Sequence, residues 1–348
     1  MRWSNCIVTA LPGRLYGGAG SMRTVAWSAL VVCLSCLTSG ARANWGNVDE
    51  ESLLSSGPWL RLPDMPEGKE QFGLEACAGK IYAVAGICDG NETASSMVFD
   101  GYRWDPIAPL PRAVQSVCLR AVNDQLFCFG GYDHRVPAKY DDVWVYDPGT
   151  DTWWPRTPMP VPREDAGSAV INGQVWIFGG LTNPGHTLVD RIDIYDPDLD
   201  VWIPSEALRM QGWPKRALGD FGGAVGPFFY SLGGTDNMDY YSWWLQPSPI
   251  GFVTDGTILE YINIPDPRCY AEIEVVGNLV YVVGGVRTWL QDYADTMLIY
   301  DTDNHGWRDA VPLPYCARGQ GACTTHEALF IAGGYDGTTR RDFYQWVH

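Results

Sequence analysis

Short runs of alternating apolar and polar residues recur along most of this chain, and they come in pairs joined by tight-turn residues. In "AVINGQVWIFGG" Asn172-Gly173 joins two such runs, and in "IEVVGNLVYVVGG" Gly277-Asn278 does the same. Turns of this composition between alternating segments predict β-hairpins, because both residue types tolerate the positive φ that a two-residue turn needs. Six second runs end in a glycine pair, or Ala-Gly in the first case: Ala85-Gly86, Gly130-Gly131, Gly179-Gly180, Gly233-Gly234, Gly284-Gly285 and Gly333-Gly334. The second glycines are 45, 49, 54, 51 and 49 residues apart, so a single structural unit is repeated along the chain. Beyond each pair come a loop and a third run ending in an aromatic. In three units that aromatic precedes a tryptophan by seven residues: Tyr146 and Trp153, Tyr195 and Trp202, Tyr300 and Trp307. A fourth short run and a proline-containing turn complete the unit. The pattern predicts an all-β chain with negligible helix.

The glycine pairs, with the segments "YDPGTDTWW", "YDPDLDVW" and "PMPVPRE", resemble the kelch repeat, and the resemblance covers roughly residues 58–348. It implies a six-bladed kelch-type β-propeller in which each repeat supplies four antiparallel strands as one blade. The glycines then permit close backbone approach near the axis. The Tyr and Trp residues become apolar wedges between blades, each contributing on the order of 2–3 kcal/mol by burial. "WLRLPDMP" at 59–66 reads as a fourth strand without its first three, and the last unit stops after a strand around 342–346. Pairing residues 59–62 with that strand closes the last blade with the N-terminal strand and removes an open edge. Two units depart from the pattern. Phe99 and Trp104 are only five apart, and in "FVTDGTILEY" Leu259 takes the tryptophan's place. The fourth unit also carries an insertion at 235–249 containing Tyr240, Tyr241, Trp243 and Trp244.

The N-terminal 43 residues hold four arginines and no acid. Met22-Arg23 opens a basic stretch, residues 25–37 are apolar, and Ala41-Arg42-Ala43 offers small residues for cleavage, so 1–43 reads as a signal peptide with an upstream extension at 1–21. An uncleaved anchor is the other reading, although the run is short for a bilayer span. Residues 44–57 form a linker, and a protein secreted or lumenal in the secretory pathway is expected, with no membrane insertion after cleavage. Two features fit that compartment. Asn91-Glu92-Thr93 is a glycosylation sequon, and seven cysteines follow residue 43, an odd number that leaves at least one unpaired. Cys118 and Cys128 flank the Asn123-Asp124 turn, which makes a cross-hairpin disulfide a candidate. The net charge of −17 argues against nucleic acid and against an anionic membrane surface.

Candidate chemistry lies in the loops. Lys69, Arg112, Arg163, Arg216, Arg268 and Arg318 precede the first residue of their pairs by 15 to 18 positions. In register they would ring the channel entrance, where guanidinium forks suit carboxylates and other planar anions. The alternative is that each pairs with a nearby acid such as Glu164, Asp165, Asp220 or Glu272 and orders its own loop. The loops after the pairs supply Tyr132, His134, His186, Trp289 and Tyr335, and the insertion supplies Trp243 and Trp244, which either face a ligand or fold back onto their blade. The five histidines are isolated, no spacing suggests a metal site or a cofactor, and no catalytic set can be assembled. These features point to a binding module for an extracellular protein or glycan, an anionic one if the ring forms. A carbohydrate-active enzyme resembling secreted kelch epimerases of sialic acid stands as the alternative, and an assembly role through the odd cysteine as a third.

Overall fold

The computed structural model describes residues 58–184, 186–203, 222–235, 246–287, 292–325 and 328–346. The signal and linker segments expected at 1–57 lie outside them. Six four-stranded antiparallel sheets are arranged as the blades of a propeller, and among the described residues there is no helix.

Blade 1 comprises Gly73–Cys77, Lys80–Val84, Ser96–Phe99 and Trp104–Ile107 from the axis outward. Blade 2 comprises Cys118–Val122, Gln125–Phe129, Val143–Asp147 and Thr152–Pro155, and blade 3 comprises Gly167–Ile171, Gln174–Phe178, Ile192–Asp196 and Val201–Ile203. Blade 4 has Gly222–Val225, Phe228–Ser231, Ile250–Thr254 and Glu260–Asn263. Blade 5 has Glu272–Val276, Leu279–Val283, Thr296–Asp301 and Gly306–Trp307, with Val311–Pro312 also paired to its third strand. Each first strand touches the first strands of both neighbouring blades, and the sixth returns to the first, which closes the ring. Blade 6 is completed as the sequence predicts. Trp59–Arg61 lies beside Phe343–Trp346 in the register Trp59↔Trp346, Leu60↔Gln345 and Arg61↔Tyr344.

The turn residues explain the hairpins. Asn172 and Gly173 have φ of 53° and 78°, and Asn123 and Asp124 have 52° and 59°, the paired positive values of a two-residue turn. The glycine pair lets blades approach at the axis: a Cβ on Gly130 would stand 2.4 Å from the Arg163 carbonyl oxygen, which no side chain tolerates.

Apolar clusters lie between blades. Tyr281, Val283, Met297 and Ile299 of blade 5 pack on Leu329, Ile331, Trp346 and Trp59 of blade 6. The aromatic–tryptophan pairs sit at these seams, facing each other across the third and fourth strands: Tyr146↔Trp153, Tyr195↔Trp202, Tyr300↔Trp307 and Phe99↔Trp104. Trp346↔Trp59 takes the same place in blade 6, its rings 5.0 Å apart. Blade 4 has Thr254 and Leu259, one step along from Val253↔Glu260, so Leu259 does hold the tryptophan position.

Each of these tryptophans also fastens its blade to the one before. The indole N–H donates to a carbonyl of the preceding blade's outer edge: Trp104 to Pro63, Trp153 to Ala108, Trp202 to Thr157, Trp307 to Asn263 and Trp59 to Pro312, at 2.7 to 3.0 Å. Leu259 has no such donor.

Candidate functional site

Within each blade the first strand begins, and the second ends, on one face, so the stretch before the first strand and the loop after the glycine pair meet there. Backbone bridges join them: Glu70↔Ile87, Gln115↔Tyr132, Glu164↔Leu181, Cys269↔Val286 and Arg318↔Tyr335. The next residue of each stretch has a positive φ: Gln71, Ser116, Asp165, Tyr270 and Gly319, between 50° and 56°. That bend aims each amide at a neighbouring blade. Gly319 N–H donates to Tyr270 C=O, Gln71 to Gly319, Ser116 to Gln71 and Asp165 to Ser116, at 2.7 to 3.3 Å. Among the described residues these peptide groups link blades 5, 6, 1, 2 and 3 in series, and Gln71, Ser116, Asp165, Tyr270 and Gly319 border a cavity of about 30 Å³.

The six cations expected to converge on this mouth divide instead. Lys69, Arg163 and Arg268 are buried, and each donates back to the Ala or Gly carbonyl sixteen residues later. Lys69 also binds Ser95 C=O at 2.9 Å and Glu67 at 2.9 Å. Arg163 pairs with Asp193, and Arg268 with Asp266. Burial lowers the pKa of all three, that of Arg268 to about 10, in spite of these acids. Their charge holds the base of a loop, because a buried charge must be paired and hydrogen-bonded to be stable. They are therefore not the ring of ligand-facing cations that the spacing suggested. Arg112 binds Asp142 at 2.7 Å and lies over the Tyr140 ring, and Arg216 falls outside the described residues.

Arg318 is different. It stands fifteen residues before its glycine, in register with Glu70, Gln115, Glu164 and Cys269, and reaches the mouth. Its guanidinium lies 5.0 Å from the Tyr335 ring centre and 5.9 Å from that of Tyr270, in cation–π range. Glu70 is 3.7 Å away, too far for a hydrogen bond, and the Arg318 Nε has no hydrogen-bond partner among the described residues. Burial raises the Glu70 carboxyl and Arg318 only partly offsets it.

Across the mouth, Glu164 meets Lys139 at 3.3 Å and His186 at 3.4 Å, and Lys139 lies over Tyr132, whose ring is 6.2 Å from that of His186. Burial and then Asp165 push the Glu164 carboxyl up to about 8, outweighing Lys139; burial raises Asp165 to about 6 despite the Ser116 hydroxyl. Tyr132, Arg318 and Tyr335 are thus brought to one face, joined by Glu70, Glu164, Asp165 and Tyr270. Sequence reading gave none of these four a ligand-facing role. The signal for them was the same distance from the glycine pair as Arg318, or one residue less.

Of the remaining candidates, His134 is turned toward Glu92, beside Arg135 and Asp133 on the tip of a short hairpin. Trp243, Trp244 and Trp289 lie outside the described residues. Asn91 is exposed on the Ile87–Cys88/Asn91–Glu92 hairpin. The Cys118–Cys128 disulfide does not form: Cys128 is opposite Leu119, so Cys118 points to the other face of the sheet. The two thiols sit in different clusters, Cys118 toward blade 3 and Cys128 toward blade 1, and all seven cysteines from Cys77 to Cys323 are free. Among the described residues no group of three or more His, Cys, Asp or Glu is placed to hold a metal, and no helix is long and apolar enough to cross a membrane.

Comparison with known proteins agrees with this architecture. A model of the kelch-repeat domain shared by KLHDC2, KLHL20 and DRC7 matches residues 74–246, and the kelch motif matches residues 267–314. Kelch-like protein 40 of Xenopus laevis is 27% identical over 104 residues, and Kelch-like protein 40a of Danio rerio is 30% identical over 102. These matches take in 27% and 28% of this chain but only 17% and 16% of those proteins. Kelch-like protein terF of Aspergillus terreus is 29% identical over 102 residues, 27% of this chain and 22% of its own. The solved structure of YjhT superposes with a TM-score of 0.68 over 81% of this chain and 95% of its own, at 14% identity, a likeness of fold. With six blades in register and kelch models matching both halves, this chain belongs to the kelch repeat family, whose propellers are protein-binding modules.

Proposed function

We propose that this protein is a secreted recognition module that takes an anionic group of an extracellular protein or glycan at its channel mouth. The observation that carries the reading is Arg318. Its guanidinium is braced by Tyr270 and Tyr335 and not hydrogen-bonded to Glu70; its Nε is buried, which leaves the two terminal nitrogens to take a carboxylate. Tyr132 and Lys139 supply a second aromatic–cation pair across the opening. The test is a screen of the purified chain against acidic peptides and acidic glycans, repeated with Arg318→Ala and Arg318→Lys. Binding that weakens with salt, is lost in Arg318→Ala and is only partly kept in Arg318→Lys supports the reading. Binding unchanged in both variants overturns it.

The carbohydrate-active alternative draws on a separate observation: two buried carboxyls, Glu164 and Asp165, with pKa values raised toward neutrality beside His186. It requires turnover of an acidic sugar that disappears in Glu164→Gln. Secretion itself is tested by N-terminal sequencing of exported material, which should begin at Asn44. Carriage of glycan on Asn91 is tested by a mass loss on enzymatic deglycosylation.

A further inference from the structure

Two seams between blades are closed by the same device, and the seam between blades 4 and 5 lacks it although blade 5 keeps the tyrosine. In blade 2 the Tyr146 hydroxyl donates to Asp151 at 2.8 Å, and the same carboxylate oxygen accepts the Ala108 amide of blade 1 at 2.7 Å. In blade 3 Tyr195 donates to Asp200 at 2.5 Å, which accepts the Thr157 amide of blade 2 at 2.9 Å. Blade 5 has Tyr300 at the matching place, but His305 replaces the aspartate with the same backbone bend, its φ being 49° against 51° and 52°. His305 is exposed, and among the described residues Tyr300 and His305 have no hydrogen bond to each other or to blade 4. The bridge from Tyr300 to blade 4 is therefore absent among these residues, while the Trp307 indole bond to Asn263 is kept.

What remains is a cleft of about 620 Å³, within the range of small-ligand sites. Its floor is Tyr230 and Tyr300, with ring centres 6.2 Å apart, and Trp307, whose ring meets Tyr300 at 5.2 Å and whose N–H is already used by Asn263. Its rim carries Tyr261, 63% exposed, with Glu260 and His305. We propose that this cleft binds a neutral saccharide. Sugar rings have an apolar C–H face and a polar edge, and the cleft offers aromatic faces with a carboxylate, an imidazole and the Tyr300 hydroxyl around them. No Lys or Arg lines it, and Glu260 makes it acidic, which repels the anions proposed for the mouth. The site is on the propeller's side, apart from the residues assigned to the mouth, and does not depend on that assignment.

The test is titration of the whole secreted chain with maltotriose, chitotriose, xylotriose and choline, read by tryptophan emission, with Tyr261→Ala, Glu260→Gln and Arg318→Ala in parallel. The expected result is saturable binding of at least one neutral trisaccharide. Affinity falls at least about tenfold in Tyr261→Ala, is weakened in Glu260→Gln and is unchanged in Arg318→Ala. Melting temperatures of the two cleft variants should match the wild type, since both side chains are exposed. The proposal is overturned if no trisaccharide binds the wild type, if Tyr261→Ala binds as well as wild type, or if choline alone binds, which would make the cleft a cation cage.

Discussion

Replacing Trp59 by alanine asks whether the first strand is part of blade 6 or merely rests against it. Trp59 is 1% exposed, lies edge-on to Trp346 at 5.0 Å, and donates to Pro312 of blade 5 at 2.9 Å. Truncating a tryptophan this buried costs about 3–5 kcal/mol through lost transfer free energy and the cavity left behind. For a domain of this size each kcal/mol lowers the melting temperature by about 2–4 °C, so a fall of about 6–20 °C is expected. Two substitutions calibrate it. Trp153→Ala removes the equivalent residue of blade 2, which has the same register and the same indole bond to the preceding blade but is only half-buried, and should be clearly destabilising by a smaller amount. Trp154→Ala removes a side chain 58% exposed and should stay within about 0.5 kcal/mol of wild type. Chemical denaturation followed by far-UV circular dichroism gives all three values. A Trp59→Ala protein that melts like wild type while Trp153→Ala is clearly destabilised refutes the reasoning, because the closing strand would then contribute nothing to the ring.

Three further outcomes are expected. Glu164 has a higher pKa folded than the ordinary value of about 4.3, so the stability it contributes is complete below that value and is lost as pH rises through about 8; wild type should lose stability relative to Glu164→Gln between pH 5 and 8 in urea titrations. Leu259 gives blade 4 no indole clamp, so amides of Ile250–Thr254 and Glu260–Asn263 should exchange with deuterium faster than those of Val143–Asp147 and Thr152–Pro155; equal rates would show that the clamps do not limit opening. Alkylation in denaturant without reductant should label both Cys118 and Cys128, and a mass two hydrogens short at that pair would contradict the hairpin register.

The fold was legible because its signals are local and repeated. Asn172-Gly173 fixes a turn whatever surrounds it, and five glycine pairs and one Ala-Gly at near-constant spacing leave little choice of architecture. The tryptophan pair of blade 6 went unrecognised because its members, Trp346 and Trp59, are joined only by closure, so no seven-residue spacing marks them. The site was less legible for a reason of one residue. Lys69, Arg163 and Arg268 stand sixteen positions before their partners and turn inward, whereas Arg318 stands fifteen before its glycine and turns to the mouth. Adjacent residues of extended chain point to opposite sides, so a window of 15 to 18 merged two opposed environments. The cysteine pair failed on the same alternation. The blade 4–5 cleft left no motif, because its lining is drawn from segments about 40 to 70 residues apart that only the fold brings together.

Closure by the first strand has a consequence for biosynthesis. When Trp59 leaves the ribosome, the carbonyl it will bind belongs to a residue 253 positions further on. At synthesis rates of about 5–20 residues per second, that partner arrives roughly 10 to 50 s later. Through that interval the early blades can stack in order, each clamping the one before, while the segment 59–61 waits with its backbone groups unpaired beside a Trp-Leu apolar pair. The final step is then a snap closure that depends on the last strand emerging intact, and a chain truncated before Phe343 would leave two exposed edges, on blade 6 and on its waiting fourth strand. Such a fragment is a natural client for chaperones and a source of cross-pairing between chains. Nascent full-length protein passes through the same exposed state only once.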